Sequence, residues 1–400
     1  MKFDSTFKSL GRILRAALLV GTASVAGAAL AQEVGAGQGV SDTEIVLGQV
    51  TDLSGPVASV GVPSRDGMIF AVEEINAAGG IHGRKLRLIT EDSAMDPKKG
   101  VLVTQKLLVQ DKVFAIIGTL GSAVTQATLP LALERSVPML FPMAATNATY
   151  LPHHPLKFAM QPLSYEHMRV AVRFSHDKLA KRRFAIFYQD DEMGQSAVRA
   201  AEEQLKQHGL NLVERTSHKR GETNFSAQIA RLKAANPDIV LLGLNPREMA
   251  AAEIEAKAQA WPVDMIVYTG TTTTVINLGG PAVEGLYGTT QFVNSAQELT
   301  PAYLALASRF KARFGHDIQD GANYGYTVVM MFAEGAKNAG RELTPLSFSR
   351  GLERLKNFRT PFDAPPVSYA PNDHAPPRDA MVLQVQGGKW KIVAGPVTAY

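Results

Sequence analysis

The sequence predicts an α/β protein built from two doubly wound, parallel-sheet lobes, and three observations carry that prediction. Strand-like runs begin near Phe184, Leu212, Ile239 and Met265, 28, 27 and 26 residues apart, which is the spacing of βαβ units. An earlier set of apolar runs, Glu44–Val50, Leu86–Thr90, Val113–Ile117 and Val137–Phe141, alternates with helical patterns in the same manner. Helical periodicity then returns from Thr300 to Leu355. Four strands are few for a closed lobe, so the chain is expected to cross back to the first lobe after about Thr290.

Taken in order, the chain opens on a basic stretch (Lys2, Lys8, Arg12, Arg15), an uncharged run from Ala16 to Leu30 and an A-x-A site at Ala29-Leu30-Ala31. This is the pattern of a secretory signal over residues 1–31, and its uncharged run is too short to span a bilayer. Its four cations against Asp4 account for three of the four net positive charges, so the rest of the chain is near +1. No basic face stands out there, and binding to nucleic acid, which needs one, is not expected.

Glu44–Val50 is the first strand. From Ser64 to Ala77, Met68, Ala71, Val72 and Ile75 recur every three to four residues opposite Arg65, Asp66, Glu73 and Glu74, an amphipathic helix stopped by Gly79-Gly80. In the second series Val198, Ala201 and Leu205, then Phe225, Ile229 and Leu232, mark the inward faces of covering helices. Helices follow at Ala302–Phe314 and Ala322–Gly340, then a Pro-rich connector and a final hairpin of Ala380–Gln386, Gly387-Gly388 and Lys389–Val393. The division expected is residues 42–161 with 291–362 as one lobe and 162–290 with 363–400 as the other.

With 46% hydrophobic and 20% charged residues the chain has material for a large core. It has no cysteine, which excludes disulfides, thiol nucleophiles, zinc-thiolate sites and a lipidated N-terminal cysteine. A G-x-S-x-G elbow, H-E-x-x-H, a P-loop and a G-x-G-x-x-G after a strand are all missing. His153-His154 reads as a solvated loop and Glu166-His167 as a solvated helix start. No catalytic residue, metal or cofactor is expected.

Ligands of open α/β sheets bind beyond the carboxyl ends of strands, where loops enter helix N-termini. Two loops stand out. Val113–Ile117 runs into Gly118-Thr119-Leu120-Gly121-Ser122-Ala123, and Val137–Phe141 into Pro142-Met143-Ala144-Ala145-Thr146-Asn147. A hydroxyl and a backbone N–H from each would hold one carboxylate. Ser122 and Thr146 could equally be plain helix caps.

The run Leu53-Ser54-Gly55-Pro56, then Glu74-Ile75-Asn76-Ala77-Ala78-Gly79-Gly80-Ile81-His82-Gly83-Arg84-Lys85-Leu86 and Glu91-Asp92-Ser93, resembles the opening of the branched-chain amino-acid-binding proteins of ABC transporters. The likeness continues through Gly121-Ser122, Ala145-Thr146-Asn147, Pro237-Asp238 and Glu284-Gly285 to Gly387-Gly388-Lys389-Trp390. It implies the type I periplasmic binding fold, two lobes joined by a three-stranded hinge that close on a small molecule. Ser122 and Thr146 match that family's carboxylate-binding hydroxyls, with the backbone of Ala123, Ala144 and Ala145 lining the same pocket.

Elsewhere the chain departs from the family pattern. The first-loop aromatic falls at Val60, two tyrosines of the second lobe at Met193 and Asn245, and the acid that meets the ligand ammonium at Thr271 or Thr272. A buried ammonium with neither carboxylate nor aromatic face is costly to desolvate. The ligand expected is therefore a small carboxylate, an aromatic or aliphatic acid, unless Asp190, Asp191 or Glu192 replaces the missing charge for an amino acid. The resemblance implies a periplasmic monomer that delivers its ligand to an ABC permease in the inner membrane; the other reading is a periplasmic sensor that signals to a membrane receptor.

Overall fold

The computed structural model describes residues 38–399 except 56, 145, 162–163, 220, 269–270, 272, 292–299, 360–361 and 363–365. The signal-like segment 1–31 lies outside them.

The first sheet has five parallel strands in the order β2-β1-β3-β4-β5: β1 (Glu44–Thr51), β2 (Lys85–Asp92), β3 (Ala115–Ile117), β4 (Met139–Leu140) and β5 (Lys157–Phe158). β1 pairs with β2 from Glu44–Lys85 to Thr51–Asp92. Alternate residues serve opposite faces: Ile45, Leu47 and Ile117 enter one apolar cluster, Val46, Val50 and Ile116 another. A sheet buried on both faces explains why its strands read as continuous apolar runs.

β3 and β4 are shorter than the runs that announce them. Lys112 (φ 50°) turns the chain into Val113, and Phe141 (φ 52°) turns it out of β4. β5, two residues long, has no periodic signal at all.

Helices α1 (Ala58–Ala77), α2 (Pro97–Val109) and α3 (Ser122–Glu134) follow β1, β2 and β3. α1 starts six residues before the expected Ser64 and takes Pro63 inside it. The buried Asp52 carboxylate accepts from Gly55 N at 2.5 Å and Val57 N at 2.8 Å, which sets the entry turn. Asp66, expected on the solvated face, is buried and bonded by Arg65 at 2.7 Å.

The second sheet has seven strands in the order β12-β11-β10-β9-β8-β6-β7. They are β6 (Phe184–Gln189), β7 (Leu212–His218), β8 (Ile239–Gly243), β9 (Asp264–Tyr268), β10 (Tyr287–Thr290), β11 (Asp379–Val385) and β12 (Trp390–Thr398). β7, β6, β8, β9 and β10 are parallel, and the hairpin β11–β12 adds antiparallel to β10. β10, with the sequence Tyr-Gly-Thr-Thr, is too small and polar to be read as a strand.

Its covering helices are α4 (Ser164–Asp177), α5 (Glu192–Gln207), α6 (Ser226–Ala234), α7 (Pro246–Ala258) and the short α8 (Thr273–Gly279). Phe184 and Ile186 face Met168, Val172, Ala201 and Leu205, while Ala185 and Phe187 face Ile229, Leu232 and Met249. Glu166 and His167 are buried, not solvated, because α4 lies flat on this core; Thr289 Oγ1 stands 3.5 Å from His167 Nδ1.

Three helices close the chain before the hairpin: α9 (Pro301–Phe314), α10 (Asp320–Ala339) and α11 (Pro345–Glu353). Tyr303, Phe310, Val328, Phe332 and Phe348 join Met68, Phe70 and Ile117 in one cluster, so these helices pack with α1 and the first sheet. α1 and α10 cross backbone to backbone. A Cβ on Gly67 would lie 2.0 Å from the Ala322 carbonyl oxygen, and one on Gly325 would lie 2.0 Å from that of Ser64.

The passages between sheets are bonded to one another. Gln291 Nε2 donates to Met160 O at 3.0 Å, Ala159 N to His374 O at 3.0 Å and Tyr369 Oη to Ala159 O at 2.7 Å.

Candidate functional site

On the first sheet, the loops beyond β3 and β4 are held to each other and to the end of β1. Leu120 N donates to Val50 O, Gly121 N to Met143 O and Met143 N to Thr119 O, at 2.8 to 3.0 Å. Gly121, at φ 97°, makes the turn into α3, a conformation that a side chain would strain. The first intrahelical bond of α3 is Thr125 N to Gly121 O at 2.9 Å, so Ser122 and Ala123 form its opening turn. Amide groups of such a turn have no acceptor within the helix and favour an anion.

Thr146 caps the 3-10 turn Asn147–Thr149 that follows β4. Its Oγ1 accepts from Ala148 N at 3.3 Å and from Gln126 Nε2, on α3, at 3.0 Å. A hydroxyl has two lone pairs and one proton. With both lone pairs engaged, the Thr146 O–H is left to donate, and the acceptor such a donor suits best is an anionic oxygen. Ala144 is buried beside it; Ala145 lies outside the described residues.

Val60 sits half-buried in the first turn of α1. The loop before it is anchored twice, by Asp52 and by Asp92 at the end of β2, which accepts from Leu53 N (2.9 Å), Ser54 Oγ (2.6 Å), Ala94 N (2.9 Å) and Lys99 Nζ (2.8 Å). Burial pushes the Asp92 carboxyl up, but Lys99, Ser54 and the two amides outweigh it and hold it well below the usual carboxylate range.

On the second sheet the predicted residues lie beyond β6, β8 and β9. Met193 is half-buried in the first turn of α5. Asn245 Nδ2 donates to Gln189 Oε1 at 3.1 Å, and Gln189 Nε2 donates in turn to Asp191 Oδ2. Asp191 Oδ1 accepts from Gly194 N at 3.0 Å as the cap of α5. Both carboxylate oxygens of Asp191 therefore have partners. Asp190 is exposed and accepts from Gln195 Nε2 at 3.2 Å; the Glu192 side chain lies outside the described structure.

Thr271 is buried, and its methyl covers Gly288 of β10, where an added Cβ would come within 2.5 Å of it. Thr272 lies outside the described residues. The structure thus places Ser122, Ala123, Ala144 and Thr146 at one set of strand ends, with Val60 in the first turn of the helix that follows the neighbouring strand β1. At the other, Asn245 is tied through Gln189 to Asp191, two residues before Met193. Beside the second set, a cavity of about 500 Å³ is lined by Asp190, Ser217, His218, Lys219 and Glu222. A cavity of about 610 Å³ with Lys181, Trp261 and Asp264 lies at the opposite end of the same sheet.

Gln126 and Gln189 are absent from the residues proposed on sequence. Gln189, a buried amide ending an otherwise apolar strand, carried a readable signal, because such a group demands partners. Gln49 in β1 behaves alike, donating to Ser64 Oγ at 3.3 Å and accepting from Thr90 Oγ1 at 3.0 Å.

Residues 44–389 match the family described as "Periplasmic binding protein". Among curated proteins, the chain is similar to the Leu/Ile/Val-binding protein of Escherichia coli (31% identity over 244 residues, 61% of this chain and 66% of that protein). The match thus spans just under two thirds of that relative's length. The leucine-specific-binding protein of Salmonella typhimurium is 30% identical over 278 residues, 69% of this chain and 74% of that one. Among solved structures, a fatty acid ABC transporter substrate-binding protein from Thermomonospora curvata superposes with a TM-score of 0.72 at 23% identity, over 92% of this chain and 95% of that one.

Proposed function

The chain belongs to the periplasmic binding protein family, and on that footing we propose that it captures a small carboxylate lacking an α-ammonium and hands it to an ABC permease. The family binds solutes and is not one of enzymes. The observation that carries the ligand class is the state of Thr146: its hydroxyl lone pairs are taken by Ala148 N and Gln126 Nε2, so it presents a proton beside the opening turn of α3. That is a seat for a carboxylate.

The second half of the proposal concerns the ammonium. Thr271 or Thr272 stands where the family pattern has an acid, Asp191 is engaged as a cap and Asp190 is exposed and bonded by Gln195, so none of these offers an α-ammonium a buried countercharge. The relatives named for leucine, isoleucine and valine favour an amino acid; the neighbour named for fatty acids supports room in this fold for an acid without the ammonium. Closure is favoured by ligands that contact both sheets' loops. Residues 1–31 would direct the chain to the periplasm, and no helix among the described residues is long and apolar enough to cross a membrane.

The test is thermal unfolding of the purified protein, stripped by unfolding and refolding, against aliphatic acids, aromatic acids, branched-chain keto acids and branched-chain amino acids. Saturation at 100 times Kd adds about 2.7 kcal/mol and raises the midpoint measurably. Stabilisation by acids and not by leucine or valine is the expected result. Stabilisation by leucine alone would overturn the ligand class while leaving solute binding intact.

A further inference from the structure

We propose that His176, Asp177 and His208 form a binding site for one divalent transition-metal ion, at the end of the second sheet's helical layer. The nine histidines look scattered in sequence, and these two are 32 positions apart. The fold joins them. α4 ends on His176 and Asp177, α5 ends into His208, and the two helices lie side by side on the core through Met168, Val172, Ala197, Ala201 and Leu205. Their carboxyl ends therefore arrive at the same place.

One donor atom from each of the three side chains lies within 4.8 Å of the other two. The imidazoles of His176 and His208 stack with centroids 4.0 Å apart and planes 25° apart. His176 Nδ1 is 2.7 Å from Asp177 Oδ1. Metal–nitrogen and metal–oxygen bonds of about 2.1 Å place donors about 3.4 Å apart, so the group must contract by an ångström or so and the rings must fan open. His176 and His208 are half-buried and Asp177 is exposed, which leaves them room to do so.

The surroundings suit a cation. Two helix carboxyl ends add their negative dipole ends.

Competing cations are Arg173, 3.3 Å from Asp177 Oδ2, and Arg182, which donates to His176 O at 3.0 Å. Both are solvent-facing contacts of small energy, and salt screens them. Two imidazoles with one carboxylate select copper, nickel or zinc over magnesium or calcium, which prefer all-oxygen sets. Water would complete the coordination shell. None of the three residues belongs to the carboxylate site, so this inference stands or falls apart from that reading.

The experiment uses the full protein, stripped with chelator and dialysed. Isothermal titration with Zn²⁺ alone is expected to give one ion per chain. Electron paramagnetic resonance with one equivalent of Cu²⁺ is expected to show hyperfine coupling to two imidazole nitrogens. His208→Gln and His176→Gln should each lower Zn²⁺ affinity at least ~10-fold and leave one coupled nitrogen. His153→Gln, which alters the separate His153–His374 pair, should change neither. Unchanged chelator-treated melting temperatures would verify that the variants fold. The proposal is overturned if no ion binds, or if affinity and coupling survive both substitutions.

Discussion

Gln126 Nε2 lies 3.0 Å from Thr146 Oγ1, a bond that ties the helix after β3 to the turn after β4 and leaves the threonine a donor only. Thr146→Val removes that donor and the cap together. Hydrogen bonds to a charged group are worth about 1.5–3 kcal/mol, so affinity for the carboxylate should fall about 10- to 100-fold by isothermal titration. Thr146→Ser should stay within a few-fold of the parent. An unchanged Kd in Thr146→Val places the carboxylate elsewhere.

Asp191 separates a cap from a countercharge. As a cap accepting from Gly194 N, its replacement in Asp191→Asn should cost at most about 1 kcal/mol of stability and leave acid binding within a few-fold. Were it the partner of a ligand ammonium, amino-acid binding in the same variant would collapse. Titration of both ligand classes against parent and variant decides between the two.

The crossing of α1 and α10 tolerates no side chain. In Gly67→Ala the new methyl would lie 2.0 Å from the Ala322 oxygen, on rigid backbone, so the helices must part. A loss of about 1–3 kcal/mol or more is expected, read as a lower denaturant midpoint. Gly209→Ala, at φ 70° with open space around it, should cost only about 1 kcal/mol.

Two buried groups give stability opposite dependences on pH. Burial pushes the His167 imidazole down to about 4, so between pH 6.5 and 4 the unfolded chain binds a proton that the folded one refuses. Its contribution is whole above pH 6.5 and lost on acidification, by about 3 kcal/mol in all. His167→Gln should flatten the fall in melting temperature over that interval.

Burial, with Asp264 adding and Lys257 opposing, pushes the Glu253 carboxyl up to about 8. Here the folded chain keeps a proton that the unfolded one releases, so stability declines from pH 4.5 to 8. Glu253→Gln should melt several degrees higher than the parent at pH 8 and the same as the parent at pH 4.5. A difference independent of pH would assign the effect to packing.

Period and spacing made the two sheets legible, because strands buried on both faces, such as Ile239–Gly243, leave continuous apolar runs, and Val198, Ala201 and Leu205 repeat at helical spacing. What escaped was set by distant contacts. The two residues of β5 carry no period, α1 begins early because Asp52 reaches its entry turn, and His167 is buried only because α4 lies on β9 and β10. At the site, Ser122 and Thr146 were visible as hydroxyls at strand ends. Their link through Gln126 was not, since it depends on how α3 lies against a turn twenty residues later.

The cluster that shelters Ile45, Phe70 and Ile117 is finished by Tyr303, Phe332 and Phe348, residues that a ribosome makes long after the first sheet. Until they emerge, α1 alone packs on that face of the sheet. The strands of β6 to β10 with α4 to α8, by contrast, are contiguous in sequence and can assemble from neighbours. Synthesis therefore leaves the core of the first half incomplete until the last third of the chain has been made, whereas the second half can close as it emerges.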